Sequence, residues 1–156
     1  MKLIILNILF LIFPFNSNSD SRYKNFIHFV SSNYKIPKPI QDNCNWHYAI
    51  VKTTIKNKKV VDYKVLNETS TDMKESFKFL IGYQLSDSST PKEQSLVFCL
   101  TIENRKTSCK IPKTTSYTPT EVLSTVMSTY AHQKEVEPNT IFLFNPIISI
   151  VDDPIN

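Results

Sequence analysis

The sequence predicts an α+β domain in two layers, an antiparallel sheet with helices packed on one face, extended at its C-terminal end by a further helix and strand. Three observations predict it. Two neighbouring runs, residues 48–56 and 60–66, are rich in β-branched residues that alternate at period two on either side of Asn57. The flanking segments 20–34 and 73–81 repeat apolar residues at helical spacing. A content of 41% hydrophobic and 21% charged residues over 156 residues is that of one globular domain.

Residues 1–19 read as an export signal. Met1-Lys2 is a short basic start, residues 3–15 are an apolar run, and Ser17 and Ser19 put small residues at −3 and −1 of a cut before Asp20. The run is shorter than the roughly 20 apolar residues a spanning helix takes, so cleavage is expected, with no stable membrane span afterwards. Residues 20–156 then form the single domain. Lys2 carries one unit of the net charge of +4, which leaves the exported part mildly basic.

Tyr23, Phe26, Ile27, Val30 and Tyr34 share one helical face within residues 20–34. Pro37 and Pro39 end that helix and make 35–46 an extended lead-in. Along 48–56, Ala49, Val51, Thr53 and Ile55 fall on one side; Tyr48, Ile50, Lys52, Thr54 and Lys56 fall on the other. Along 60–66, Val61, Tyr63 and Val65 oppose Asp62 and Lys64. Asn57 tolerates the left-handed backbone of a tight turn, so 48–66 is expected to be a hairpin.

The polar run 67–72 offers N-caps for a helix whose apolar face is Met73, Phe77, Leu80 and Ile81. Gly82 follows where a C-terminal cap belongs. A polar loop, 85–94, leads to a third strand at 96–102, more continuously apolar and so better buried. Residues 103–117 are polar and irregular. Thr118-Pro119-Thr120-Glu121 starts a helix, with a threonine N-cap, proline at the first helical position and glutamate placed for a capping box. Its apolar face is Val122, Leu123, Val126, Met127 and Tyr130. The last β-rich stretch, 141–151, is interrupted by Pro146, which points to an edge strand, a bulge or two short pieces.

Several segments resemble the C-terminal domain of TonB-like proteins: Tyr34-Lys35-Ile36-Pro37 to Asn43-Cys44-Asn45-Trp46, then residues 49–55, then 59–67. In that family a proline-marked lead-in enters a β-branched strand, a short turn leads to a second strand, and a helix and third strand close the unit. The resemblance covers residues 34–104 and leaves 105–156 as an extension. Where family members carry glycines before the first strand and in the turn, this chain has Trp46-His47 and Asn57-Lys58. Gly82-Tyr83-Gln84-Leu85 stands in place of the family's aromatic-proline signature. The resemblance implies a free-standing, exported, non-enzymatic interaction module of the bacterial periplasm, cell envelope or exterior. Its partner would be a protein or peptide strand, bound by strand addition on a sheet edge. The alternative is a small secreted enzyme or ligand-binding protein with a pocket between sheet and helices.

The remaining signals are weaker. The single glycine excludes Gly-rich dinucleotide, P-loop and nucleophile-elbow motifs, so no cofactor is expected. Lys56-Asn57-Lys58-Lys59 reads as a solvated turn and not as a nucleic-acid patch. Cys44 and His47 have no further ligands at metal spacing, and His28 and His132 stand apart. No catalytic or metal residue is therefore assigned. Trp46 reads as a core or rim anchor beside the first strand, Asp152-Asp153 as a solvated end, and Asn67-Glu68-Thr69 as a glycosylation sequon with meaning only in a eukaryotic host. Three exported cysteines permit one internal pair and leave one thiol. The expected pair is Cys99 with Cys109, if the segment between folds back; three reduced cysteines is the other reading.

Overall fold

The structure is a computed structural model that describes residues 23–86, 92–109 and 119–153. The expected export segment 1–19, the expected cap Thr118 and part of the loop 85–94 lie outside the described residues. In chain order the elements are α1 (Lys24–Asn33), α2 (Lys38–Gln41), β1 (His47–Lys56), β2 (Lys59–Val65), α3 (Thr71–Glu75), a 3-10 turn (Lys78–Leu80), β3 (Glu93–Asn104), a second 3-10 turn (Thr107–Cys109), α4 (Pro119–Val136), β4 (Ile141–Phe142) and β5 (Ile147–Val151).

The hairpin forms as its alternation requires. Asn57 and Lys58 both adopt positive φ, 49° and 65°, which matches the twist of a two-residue turn to that of the strands. β1 pairs antiparallel with β2 on one side and with β3 on the other, from His47↔Ile102 to Lys56↔Glu93. β3 is longer than its apolar run, because the polar residues Glu93, Gln94 and Ser95 continue the ladder against Lys56, Ile55 and Thr54. Within β2 the register shifts opposite Thr54/Ile55, which leaves Val61 as the extra residue of a β-bulge.

Two expectations about the sheet are corrected. It is mixed, because β4 and β5 both run parallel to β3, along its first and second halves. Helices also cover both faces. The reason is one connection: a strand that returns to its sheet after a crossover helix re-enters parallel, with the helix lying over a face. On the first face, Phe26 and Val30 of α1 with Met73, Phe77 and Leu80 pack on Ala49, Val51, Ile55, Leu96, Phe98 and Leu100, all fully buried or nearly so. On the second, Tyr130 of α4, flanked by the partly buried Val122 and Val126, packs with Tyr48, Ile50, Val97, Cys99 and Phe142. The 141–151 stretch is split at Pro146 into β4 and β5, one of the three outcomes its proline allowed.

Three local departures have local causes. The lead-in is not wholly extended: α2 forms a single turn with Pro39 at its first positions, where a missing N–H loses nothing. The middle helix stops after Glu75 and resumes as a 3-10 turn. Ser76 Oγ donates to the Met73 carbonyl (2.7 Å), the kind of local bond that competes with helix propagation. The break leaves Met73, Phe77 and Leu80 buried but turns Ile81 outward, 47% exposed. Gly82 ends the segment with φ +92°.

The expected Cys99–Cys109 pair is also corrected: Cys109 is bonded to Cys44, and Cys99 is a free, buried thiol. Cys99 lies mid-strand in β3 with its side chain in the α4-side cluster, and an extended backbone carries Cys109 far from it. Antiparallel pairing instead brings the start of β1 beside the end of β3, so Cys44 and Cys109 meet with Cα atoms 5.1 Å apart.

Candidate functional site

The two edges of the sheet differ. β2 forms one edge, and its first residues are already paired outward: Val60 N–H donates to Tyr83, Gly82 N–H to Val60, and Leu85 N–H to Lys58. Further along, the Val61 bulge and the charged Asp62 and Lys64 blunt what is left. These are the standard devices by which an edge strand avoids unwanted pairing.

The other edge is β4 and β5. β5 is Ile147-Ile148-Ser149-Ile150-Val151, with no charge, no bulge and an unbroken register on β3. The Val151 carbonyl accepts from Arg105 N–H (2.8 Å), so Val151 faces the β3 side. Backbone groups alternate direction along a strand, so the N–H and C=O of Ile148 and Ile150 point outward. Among the described residues no strand pairs with that outer side. Ile147 and Val151 bury their side chains on the α1 face, while Ile148 and Ile150 point to the α4 face and stay 52% and 41% exposed.

α4 lies over the same face of the sheet, against β1, β3 and β4. Val122 and Val126 face the sheet, and Tyr130 packs tilted against Phe142 (4.9 Å) and edge-to-face with Phe144 (5.9 Å), with its hydroxyl donating to the Leu143 carbonyl (2.9 Å). Leu123 and Met127 sit on the helix flank next to Tyr130, by the helical period, and are 62% and 44% exposed. The sequence put both on the buried face. The sheet takes only the narrower Val122, Val126, Tyr130 stripe.

A cleft of about 370 Å³ lies on the same face at the far end of α4, lined by Lys52, Thr54, Glu93, Ser95, Glu137 and Thr140 among others. Glu137 is its centre. It forms an ion pair with Lys52, accepts from Ser95 Oγ (2.9 Å) and lies near Thr140 Oγ1. The hydrogen bonds from Lys52 and Ser95 hold its carboxyl below the usual range of 4.5. Lys52 Nζ and the Ser95 hydroxyl both donate hydrogen bonds to this carboxylate. The cluster anchors the end of α4 to β1 and β3.

The residues weighed from the sequence are placed as follows. Cys44 is in the disulfide, so it offers no thiol to His47. His47 is half-buried with Nε2 unpartnered, and desolvation lowers its pKa. Of the two placements expected for Trp46, core or rim, its 43% exposure excludes the core. Asn67 is structural. Its Oδ1 accepts from Ile50 N–H (2.7 Å) and its Nδ2 donates to the Tyr48 carbonyl (3.2 Å), which extends the β1–β2 pairing by a side chain. Asp153 accepts from Thr107 N–H (2.9 Å), which lowers its pKa and ties the C-terminal segment to the turn after β3. Among the described residues no three His, Cys, Asp or Glu converge on a metal position. Among the same residues no helix is long and apolar enough to cross a membrane.

Compared with known protein families, curated proteins and solved structures, the chain has no match. The exposed β5 edge had a signal in the sequence: five consecutive uncharged residues, four of them β-branched and apolar, beside a proline. What the sequence does not record is what lies across from them; among the described residues no strand does.

Proposed function

We propose that the chain is a non-enzymatic interaction module that takes an extended segment of a protein partner onto the β5 edge of its sheet. The single observation that carries this reading is the contrast between edges. β2 is bulged, charged and partly paired, whereas β5 is straight, uncharged and bordered by exposed isoleucines. An edge of that kind offers backbone bonds for affinity and alternate side-chain positions for selectivity. The order helix, lead-in, hairpin, helix, strand over 24–104 supports kinship of architecture with the TonB C-terminal domain. Residues 1–19 and the oxidised Cys44–Cys109 pair support an exported setting, in the periplasm, envelope or exterior. The alternative of a pocket enzyme or carrier would draw on the Glu137 cleft, where Glu137, Lys52 and Ser95 are engaged with one another.

The experiment is selection of peptides of about ten residues from a displayed library, a length that spans a typical strand. Binding is then mapped by amide hydrogen exchange. The expected result is slowed exchange at Ile148 and Ile150, abolished by Ile150→Pro, which deletes an outward N–H without touching the β3 ladder. Binders that protect the cleft residues and leave β5 unchanged would overturn the reading.

A further inference from the structure

Resting on that reading, we infer that the partner strand is β5 of a second copy of this chain, paired antiparallel about Ser149 so that two sheets join into one. The strand is symmetric about that residue. Ile147 and Val151 at its ends are 4% and 6% exposed, Ile148 and Ile150 inside them are 52% and 41% exposed, and Ser149 lies at the centre. A two-fold axis through Ser149 sets Ile148 opposite Ile150 of the second copy, and Ile147 opposite its Val151. Such an isologous contact requires one surface to complement itself, and this strand does so in both its backbone and its side chains.

The backbone phase agrees with the side-chain symmetry. Ile148 and Ile150 carry the outward N–H and C=O groups, and in this register they face each other as hydrogen-bonded pairs. On the α4 side the same register gathers four isoleucines, two from each copy, in directly opposed cross-strand pairs. Charge does not oppose it. Residues 141–151 carry none, and Asp152 and Asp153 fall opposite Pro146 and Asn145 of the second copy, away from their own equivalents.

The far edge explains why pairing stops at two. An open sheet with two bare edges would add copies without limit. Here the β2 edge is closed to addition by residues 82–85, the Val61 bulge and the charges of Asp62 and Lys64. One edge with no outer strand among the described residues and one guarded edge give a closed pair.

The test is sedimentation velocity of the chain, purified from the compartment in which it accumulates, over a wide concentration range. The unaltered chain is expected to show a reversible dimer with micromolar affinity, as suits an interface at the small end of the range. Ile148→Lys/Ile150→Lys places like charges opposite each other across the axis and is expected to weaken association at least about tenfold. Ile148→Lys/Ile150→Glu places lysine opposite glutamate only in this register, and is expected to restore association relative to the double lysine. Both pairs of substitutions fall at exposed positions, and circular dichroism checks that the fold persists. A chain that stays monomeric, or a dimer indifferent to the double lysine, overturns the self-pairing. A monomer that still takes selected peptides on residues 147–151 overturns it while leaving the interaction module intact. A monomer with neither property overturns both. A monomer whose Ile148 and Ile150 amides are already protected places another segment of the same chain on the edge, and likewise overturns the self-pairing.

Discussion

Breaking the Cys44–Cys109 bond should damage this domain about as much as truncating a large buried side chain. The two cysteines are 65 residues apart and enclose the whole hairpin, α3 and β3. In the chain-entropy relation a loop of that length contributes about 4 kcal/mol, whereas the shorter loop expected from sequence would contribute only about 2–3 kcal/mol. For a domain of this size a loss of about 4 kcal/mol lowers the melting temperature by about 10–20 °C. The assay is urea unfolding at neutral pH of the unaltered chain, with and without a phosphine reductant, and of Cys44→Ser/Cys109→Ser without it. Reduction and double substitution should lower the midpoint by similar amounts. Cys99→Ala should leave the response to reductant intact, because its thiol takes no part. Burial pushes that thiol up to about 12, so it should resist alkylation until the chain unfolds. A loss below about 1 kcal/mol, far under the range for native disulfides, would refute the entropic reasoning. A reductant response that disappears with Cys99→Ala would refute the pairing itself.

Three further outcomes follow from the packing and the backbone. Phe77→Ala or Leu80→Ala, both at 0% exposure, should cost about 2–5 kcal/mol in the same urea assay. Ile81→Ala, on the outward side of the broken helix, should stay within about 0.5 kcal/mol. Lys58→Gly should stabilise the fold by about 0.5–1 kcal/mol, because φ of 65° strains a lysine and not a glycine; a destabilised variant would count against the two-residue turn. Acidification should weaken the domain in two steps, both read as unfolding midpoints against pH. Desolvation lowers the His47 pKa, so the unfolded chain binds that proton more readily and stability falls as pH drops below 6.5. The Glu137 pKa is also lowered, so its contribution holds above 4.5 and is lost as pH falls through its folded value. A leucine at His47 should flatten the first step and Glu137→Gln the second.

Much of the candidate interaction edge was readable in pieces. The apolar, β-branched character of 147–151 and the break at Pro146 are properties of neighbours in the chain. Ile148 and Ile150 drew no attention as site residues because an isoleucine in a strand is normally buried by something, and the identity of that cover is not a local property. The same holds for Leu123 and Met127. The helical period grouped them with Val122 and Val126, and only the width of sheet available beneath α4 separated them.

Sequence alone determined the features whose causes lie within a few residues. The Tyr23, Phe26, Val30 and Tyr34 stripe of α1, the opposed faces of β1, the turn at Asn57, the cap at Gly82 and the start of α4 at Pro119 all rest on local periodicity or backbone preference. Tertiary structure alone decided the features that depend on which distant segments become neighbours. It placed Cys109 beside Cys44, put α4 on the face opposite α1, turned β4 and β5 parallel to β3, and guarded the β2 edge while leaving β5 without an outer strand among the described residues. Side-chain spacing records which way a residue points. It does not record what lies across from it, because that is fixed by pairing and crossover between elements far apart in the chain.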